Sequence, residues 1–193
     1  MEEKFAYVEG AEQPIAMHPK KFALWLFIVS VVMIFASLTS AYIVRQSEGN
    51  WLEFDLPVIF WYSSVVIVLS SVTLHYAYTA AKKDELSKIR LGMILTSILG
   101  VTFLVAQWYS WVALVDRDVF FVGNPAGSFL YVFTGLHAIH LISGVIFLII
   151  VLISSFRYKV HSKNMNAMEM CVTYWHFLGG LWLYLFMFLL LNH

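Results

Sequence analysis

One cysteine, Cys171, is all the thiol chemistry in 193 residues. That excludes an intrachain disulfide and any metal site built from several thiolates. Charge is scarce too: Asp, Glu, Lys and Arg make up 12% of the chain, and twelve basic residues balance twelve acidic ones. Without a net charge there is no global attraction to nucleic acid or to an anionic surface, so nucleic acid is excluded as a partner. Repeats and low-complexity segments are absent. The first nineteen residues are polar and of mixed charge, with no apolar stretch or small-residue cleavage pattern. They do not read as a signal peptide, and the first apolar segment is expected to be retained.

Apolar residues are abundant instead. They account for 61% of the chain, and the mean hydropathy is +0.77. Those values lie outside the soluble range and predict a single membrane domain over 1–193, opened by a polar segment over 1–19. Five apolar runs, at about 22–44, 57–81, 91–115, 128–153 and 170–191, are each long enough to span a bilayer. The predicted fold is all-α, a polytopic bundle of five transmembrane helices. Short connections predict that sequential helices are antiparallel neighbours and leave little mass outside the membrane for a soluble active site.

The basic residues orient the bundle. Lys4, Lys20 and Lys21 precede the first run, Lys82, Lys83, Lys88 and Arg90 lie between the second and third, and Arg157, Lys159 and Lys163 lie between the fourth and fifth. The alternate loops hold only Arg45 and Arg117. The positive-inside rule then puts the N-terminus in the cytoplasm and the C-terminus outside.

The fourth run carries Ser128, Tyr131, Thr134, His137, His140 and Ser143, a polar residue at nearly every third position. Steps of three residues turn a helix by about 60° short of a full circle, so this row winds around the helix. Such a row suits a segment enclosed by other helices, where ionisable groups find partners. Further stripes are Ser64, Ser71, His75 and Tyr78 in the second run, Thr96, Gly100, Phe103, Gln107 and Ser110 in the third, and Glu169, Val172, Thr173, His176, Gly179 and Gly180 in the fifth. Small and polar residues in this pattern read as helix-packing contacts, with a transport path as the alternative. Glu169 is the one acid near these stripes and sits at a helix end, a poor basis for a proton relay. Trp108, Trp111, Trp175 and Trp182 read as packing residues or interfacial anchors. Asp116-Arg117-Asp118 reads as solvated charge.

Haem ligation would need two axial groups at equal depth on facing helices. His75 and His176 both lie roughly 9–11 Å from the cytoplasmic end, and His140 lies roughly 20 Å deep. A one-haem cytochrome using His75 and His176 therefore stays open. Gly179 and Gly180 would clear space for the porphyrin on one helix, with no counterpart on the other.

Several motifs, in order along the chain, carry a resemblance that covers it from His18 onwards. The fourth run reads Thr134-Gly-Leu-His-Ala-Ile-His-Leu-Ile-Ser-Gly144. The fifth reads Tyr174-Trp-His-Phe followed by Trp182, with Glu169 seven residues before His176. The third has Leu99-Gly100 and then Gln107, and the second has Ser70-Ser-Val-Thr-x-His75. The first opens Leu24-Trp-Leu-Phe and closes Ala41-Tyr42 before Arg45. The chain resembles subunit III of the haem–copper oxidases, in a five-helix form lacking the two N-terminal helices of the mitochondrial protein. It departs from the family pattern at three acids: a glutamate following the serine at Ser30 is Val31, and two further acids are Ser110 and Gly179. The first of these acids is linked in the family to lipid binding and to proton uptake by the catalytic subunit, so those contributions are not carried over.

The resemblance implies a non-catalytic subunit of a proton-pumping terminal oxidase of the cytochrome c oxidase type, in a bacterial inner membrane. Haem and copper are expected in partner subunits and not in this chain. Subunit I would be the main contact, with subunit II, subunit IV, membrane lipids and a respiratory supercomplex as further partners, and structural phospholipid as the bound molecule. His137, His140, Glu169, Trp175, His176, Gln107 and His75 are the expected structural, lipid or partner contacts. A quinol oxidase subunit or a nitric oxide reductase accessory unit is the related alternative. A one-haem cytochrome and a small transporter are the unrelated ones.

Overall fold

The computed structural model describes residues 18–157 and 165–192. Within them the chain forms five helices and no strand: α1 (Pro19–Ser47), α2 (Ile59–Lys82), α3 (Leu86–Val115), α4 (Pro125–Phe156) and α5 (Asn166–Asn192). Each is long and apolar enough to cross a membrane. Lys4, Lys159 and Lys163 lie outside the described residues.

Most helices run a few residues past their apolar runs because local caps carry them there. His18 precedes Pro19 and its ring accepts the Lys20 amide at 3.3 Å, so α1 begins before its first apolar residue. Asn124 does the same for α4, accepting the Ala126 amide at 2.9 Å ahead of Pro125. In both, proline fills a first-turn position where no amide hydrogen is needed. Only residues 83–85 join α2 to α3, with Asp84 in the left-handed region (φ 55°). That turn holds the two helices side by side. Gly92 permits their approach, since a Cβ there would lie 2.8 Å from Ala77 Cβ and 3.0 Å from the Thr73 carbonyl oxygen. The Thr73 and Thr96 hydroxyls meet at 2.8 Å along the same seam.

Helices α2, α3, α4 and α5 close into a ring, each packed on the next and α5 on α2. Helix α1 stands outside that ring in the groove between α4 and α5, and its backbone approaches neither α2 nor α3. The expectation that sequential helices are neighbours therefore fails for α1 and α2. The link over residues 48–58 is long enough to step across the bundle end, and the apolar partners of Val31, Phe35 and Tyr42 are Phe133, Leu181, Leu185 and Leu189 on α4 and α5. Helix α1 is clipped near both ends: Lys21 pairs with Glu169, and the Tyr42 hydroxyl and Gln46 amide donate to the Asn192 carbonyl at 2.8 and 2.9 Å.

The α3 stripe faces the core as read, with Thr96, Gly100, Phe103, Gln107 and Ser110 all buried. The α2 stripe does not. Phe60, Ser63, Ile67, Ser70, Leu74, Ala77 and Ala81 face inward, while Ser71 and Tyr78 are half-buried and His75 is exposed. Ser64 is buried as read, but from Ser71 onward the stripe was one residue out of phase, about 100° of helix rotation. Helix α5 touches α1, α2 and α4, and its buried side is broad, including both Trp175 and Trp182.

Candidate functional site

The polar residues of the ring are stacked in layers, each tying several helices together. In the layer nearer the lysine-rich end, Trp175 projects from α5 into the ring. Its indole N–H donates to Ser70 Oγ on α2 at 3.0 Å. On α3, a Cβ at Gly100 would stand 2.6 Å from Trp175 Cη2, and on α4 a Cβ at Gly144 would stand 3.5 Å from Cε3. One indole thus contacts all three other helices of the ring. Two glycines make the space, and one serine takes up the N–H that would otherwise be orphaned in an apolar interior.

In the next layer, the Trp182 N–H donates to Ser64 Oγ at 2.9 Å and the Gln107 amide donates to Ser63 Oγ at 3.0 Å. Both serine hydroxyls donate in turn to the Phe60 carbonyl, at 2.9 and 2.7 Å. His137, fully buried, lies against the Trp182 and Phe103 rings with centroids 5.3 and 6.0 Å away. In a third layer the Trp111 N–H donates to Thr134 Oγ1 at 2.9 Å.

The polar row on α4 winds as its spacing requires. Tyr131 donates to the Val119 carbonyl beyond α3, Thr134 meets α3, and His137 meets α3 and α5. His140 meets Phe27 and Phe35 of α1, and Ser143 meets the Tyr174 hydroxyl of α5 at 2.7 Å. His140 Nδ1 lies 2.7 Å from the Leu136 carbonyl; only a protonated Nδ1 can donate there, which leaves Nε2 as an acceptor.

The seven sequence-derived residues therefore fall into three places. Trp175, Gln107 and His137 are inside the ring, and His140 and Glu169 are on the α1 seam. His75 and His176 face each other across the α2–α5 edge, with ring centroids 6.2 Å apart and planes inclined at 50°. A porphyrin between that last pair does not fit. Of the two glycines that were to clear its space, Gly180 is open, but Gly179 is filled: a Cβ there would meet Ser71 Oγ at 3.2 Å and Ile67 Cγ1 at 3.8 Å. The glycine brings α2 close to α5 rather than leaving a slot. Among the described residues, no three His, Cys, Asp or Glu side chains are grouped to hold a metal ion. Ser63, Gly92 and the Tyr42–Asn192 clip escaped sequence reasoning, and Ser70 entered it only within a motif; the small residues of α2 at steps of seven (Ser63, Ser70, Ala77) were the available signal.

Such an arrangement defines an integral-membrane helical bundle whose buried polar groups serve contacts between helices. Residues 51–192, which hold the whole four-helix ring, match the family Cytochrome c oxidase subunit III. Among curated relatives, a probable cytochrome c oxidase subunit 3 of Nocardia farcinica is 31% identical over 84% of this chain and 82% of its own length. The cytochrome c oxidase subunit 3 of Corynebacterium diphtheriae is 28% identical over 83% and 82%, and that of Bacillus sp. (strain PS3) 26% identical over 86% and 83%. The chain belongs to the cytochrome c oxidase subunit III family.

Proposed function

We propose that this chain is the non-catalytic subunit III of a proton-pumping terminal oxidase that takes electrons from cytochrome c. Oxygen reduction and proton pumping occur at haem and copper in subunit I, with electrons arriving through subunit II. This chain covers a flank of subunit I, holds structural phospholipid, and keeps the catalytic subunit rigid where protons enter, in the inner membrane of a bacterium. The supporting observation is where the buried imidazoles and indoles go. Trp175 and Trp182 are bonded to serines of α2, and His140 is bonded to its own helix and packed edge-on against Phe35 of α1. These are tie points of a scaffold. The relatives are named for cytochrome c oxidase, which favours that donor over quinol.

The test is His140→Leu in the assembled oxidase, following oxygen consumption through many turnovers. The initial rate should stay close to wild type while the active lifetime shortens, because the α1 seam loosens without touching a redox centre. A collapsed initial rate with an unchanged lifetime refutes the scaffold role.

A further inference from the structure

We propose that the core of the four-helix ring binds a water molecule between His137 on α4 and Gln107 on α3. The site rests on this chain's own interior and not on the assembly proposed above.

Both residues are fully buried with unmet hydrogen-bonding capacity. Among the described residues neither ring nitrogen of His137 has a partner, and neither does Gln107 Oε1. The rings against His137 are Phe103, which has no polar atom, and Trp182, whose N–H is taken by Ser64. The Gln107 amide nitrogen donates to Ser63 Oγ, and Ser63 gives its own hydroxyl proton to the Phe60 carbonyl. In that arrangement Oε1 points away from Ser63.

Helix register puts the two groups at one depth. Trp111 on α3 meets Thr134 on the antiparallel α4. Four residues back from Trp111 is Gln107, and three residues on from Thr134 is His137, about 6 and 4.5 Å respectively toward the lysine-rich end. The same register recurs lower down, where a Cβ on Gly100 would meet Val145 at 3.3 Å. One water suits both groups: it accepts the imidazole N–H and donates to Gln107 Oε1. Ser110, one turn further out and buried, donates its hydroxyl to the Ala106 carbonyl and keeps a lone pair for the second water proton. Buried waters bind where two to four otherwise unsatisfied polar groups converge.

The decisive experiment is a map of the intact oxidase at a resolution that shows ordered waters within its membrane-embedded part. The expected result is a peak about 2.7–3.2 Å from one His137 ring nitrogen and from Gln107 Oε1. If that map shows waters elsewhere but none here, or His137 bonded directly to a side chain, the site does not exist. Variants give an independent readout in the half-life of the subunit's retention by the complex on heating. His137→Phe and Gln107→Leu should each shorten it about fivefold or more, by leaving one end of the bridge buried and unpaired. The double variant should lie nearer to wild type than either single variant, because both orphans are gone. Losses that simply multiply would mean the two residues only fill space, and would overturn the proposal.

Discussion

Gly100→Ala is the sharpest test of the packing described above, because one methyl group meets one indole edge. The new Cβ would stand 2.6 Å from Trp175 Cη2, 3.1 Å from Cζ2 and 3.3 Å from Val145 Cγ2. The indole cannot easily retreat. Its N–H is held by Ser70, and the opposite side of the layer is closed by Gly144, where a Cβ would already lie 2.8 Å from Leu178 Cδ1. Overpacking of a filled core costs about 1–3 kcal/mol. Alanine in place of glycine in a helix interior returns about 0.8–1 kcal/mol, so Gly135→Ala is the necessary control: nothing lies within 4 Å of a Cβ at Gly135. The difference between the two variants isolates the clash, roughly 5- to 150-fold in the folding equilibrium.

The assay is reversible unfolding of the full chain in detergent micelles with increasing denaturing surfactant, followed by far-ultraviolet circular dichroism. Gly135→Ala should be neutral or slightly stabilised, and Gly100→Ala should be destabilised relative to it. Adding Trp175→Phe should recover part of the loss in the Gly100→Ala background, since the shorter ring withdraws Cη2 and Cζ2. In the wild-type background the same change should only destabilise, by opening a cavity and leaving Ser70 without its donor. Equal stability of the two alanine variants would refute the claim that the Trp175 indole packs against α3 at this glycine.

Two further predictions concern the ends of helices. Lys21 and Glu169 join α1 to α5 while about a third exposed, so Glu169→Gln should cost no more than about 1 kcal/mol and matter less in high salt; a large, salt-independent loss in the same surfactant titration would show the pair to be more than a clip. At the α2–α3 turn, the Lys88 ammonium bonds Glu85 at 2.7 Å and lowers its carboxyl below the usual value. A lowered folded value means that this pair helps the fold above the ordinary carboxylate range and stops helping as pH falls through the lowered one. NMR titration should show Glu85 returning toward its ordinary value in Lys88→Met, and an unchanged midpoint would exclude Lys88 as the cause.

What could be read from the sequence depended on the kind of signal. The five spans were legible because a run of apolar residues is a local property. The inward face of α3 was legible because Thr96, Gly100, Phe103, Gln107 and Ser110 recur at steps of three, four and seven, the spacing of one helix face. The face of α2 was misjudged by one residue. Serine comes in pairs on that helix: Ser63 and Ser64 are both buried and bonded, to Gln107 and Trp182, whereas of Ser70 and Ser71 it is Ser70 that receives the Trp175 indole. The displacement of α1 from α2 was not legible, because which helix fills a groove depends on side chains hundreds of ångströms of extended chain apart. His75 and His176 were rightly matched in depth, but depth along two helices says nothing of the space between them, which Gly179 and Ser71 close.

At position 31, where the chain departs from the family pattern, the surroundings of the side chain are defined. Val31 is buried in the seam between α1 and the ring, with Phe27 and Phe35 one turn to either side on α1. Both rings contact His140, at 6.2 and 6.0 Å. His140 therefore lies across the seam from Val31, beside an apolar cluster that includes Phe133, Leu181 and Leu185, and its Nε2 can receive a proton donor there. The glutamate that the family resemblance places at this position would face that imidazole. Val31→Glu should accordingly be tolerated when His140 is present and poorly tolerated with His140→Leu, where the carboxyl has no partner at membrane depth and costs on the order of 1–3 kcal/mol or more. The measurement is a double-variant cycle on subunit yield in the purified complex. Coupling near zero would mean that the imidazole and position 31 do not share a seam, and the docking of α1 described here would be wrong.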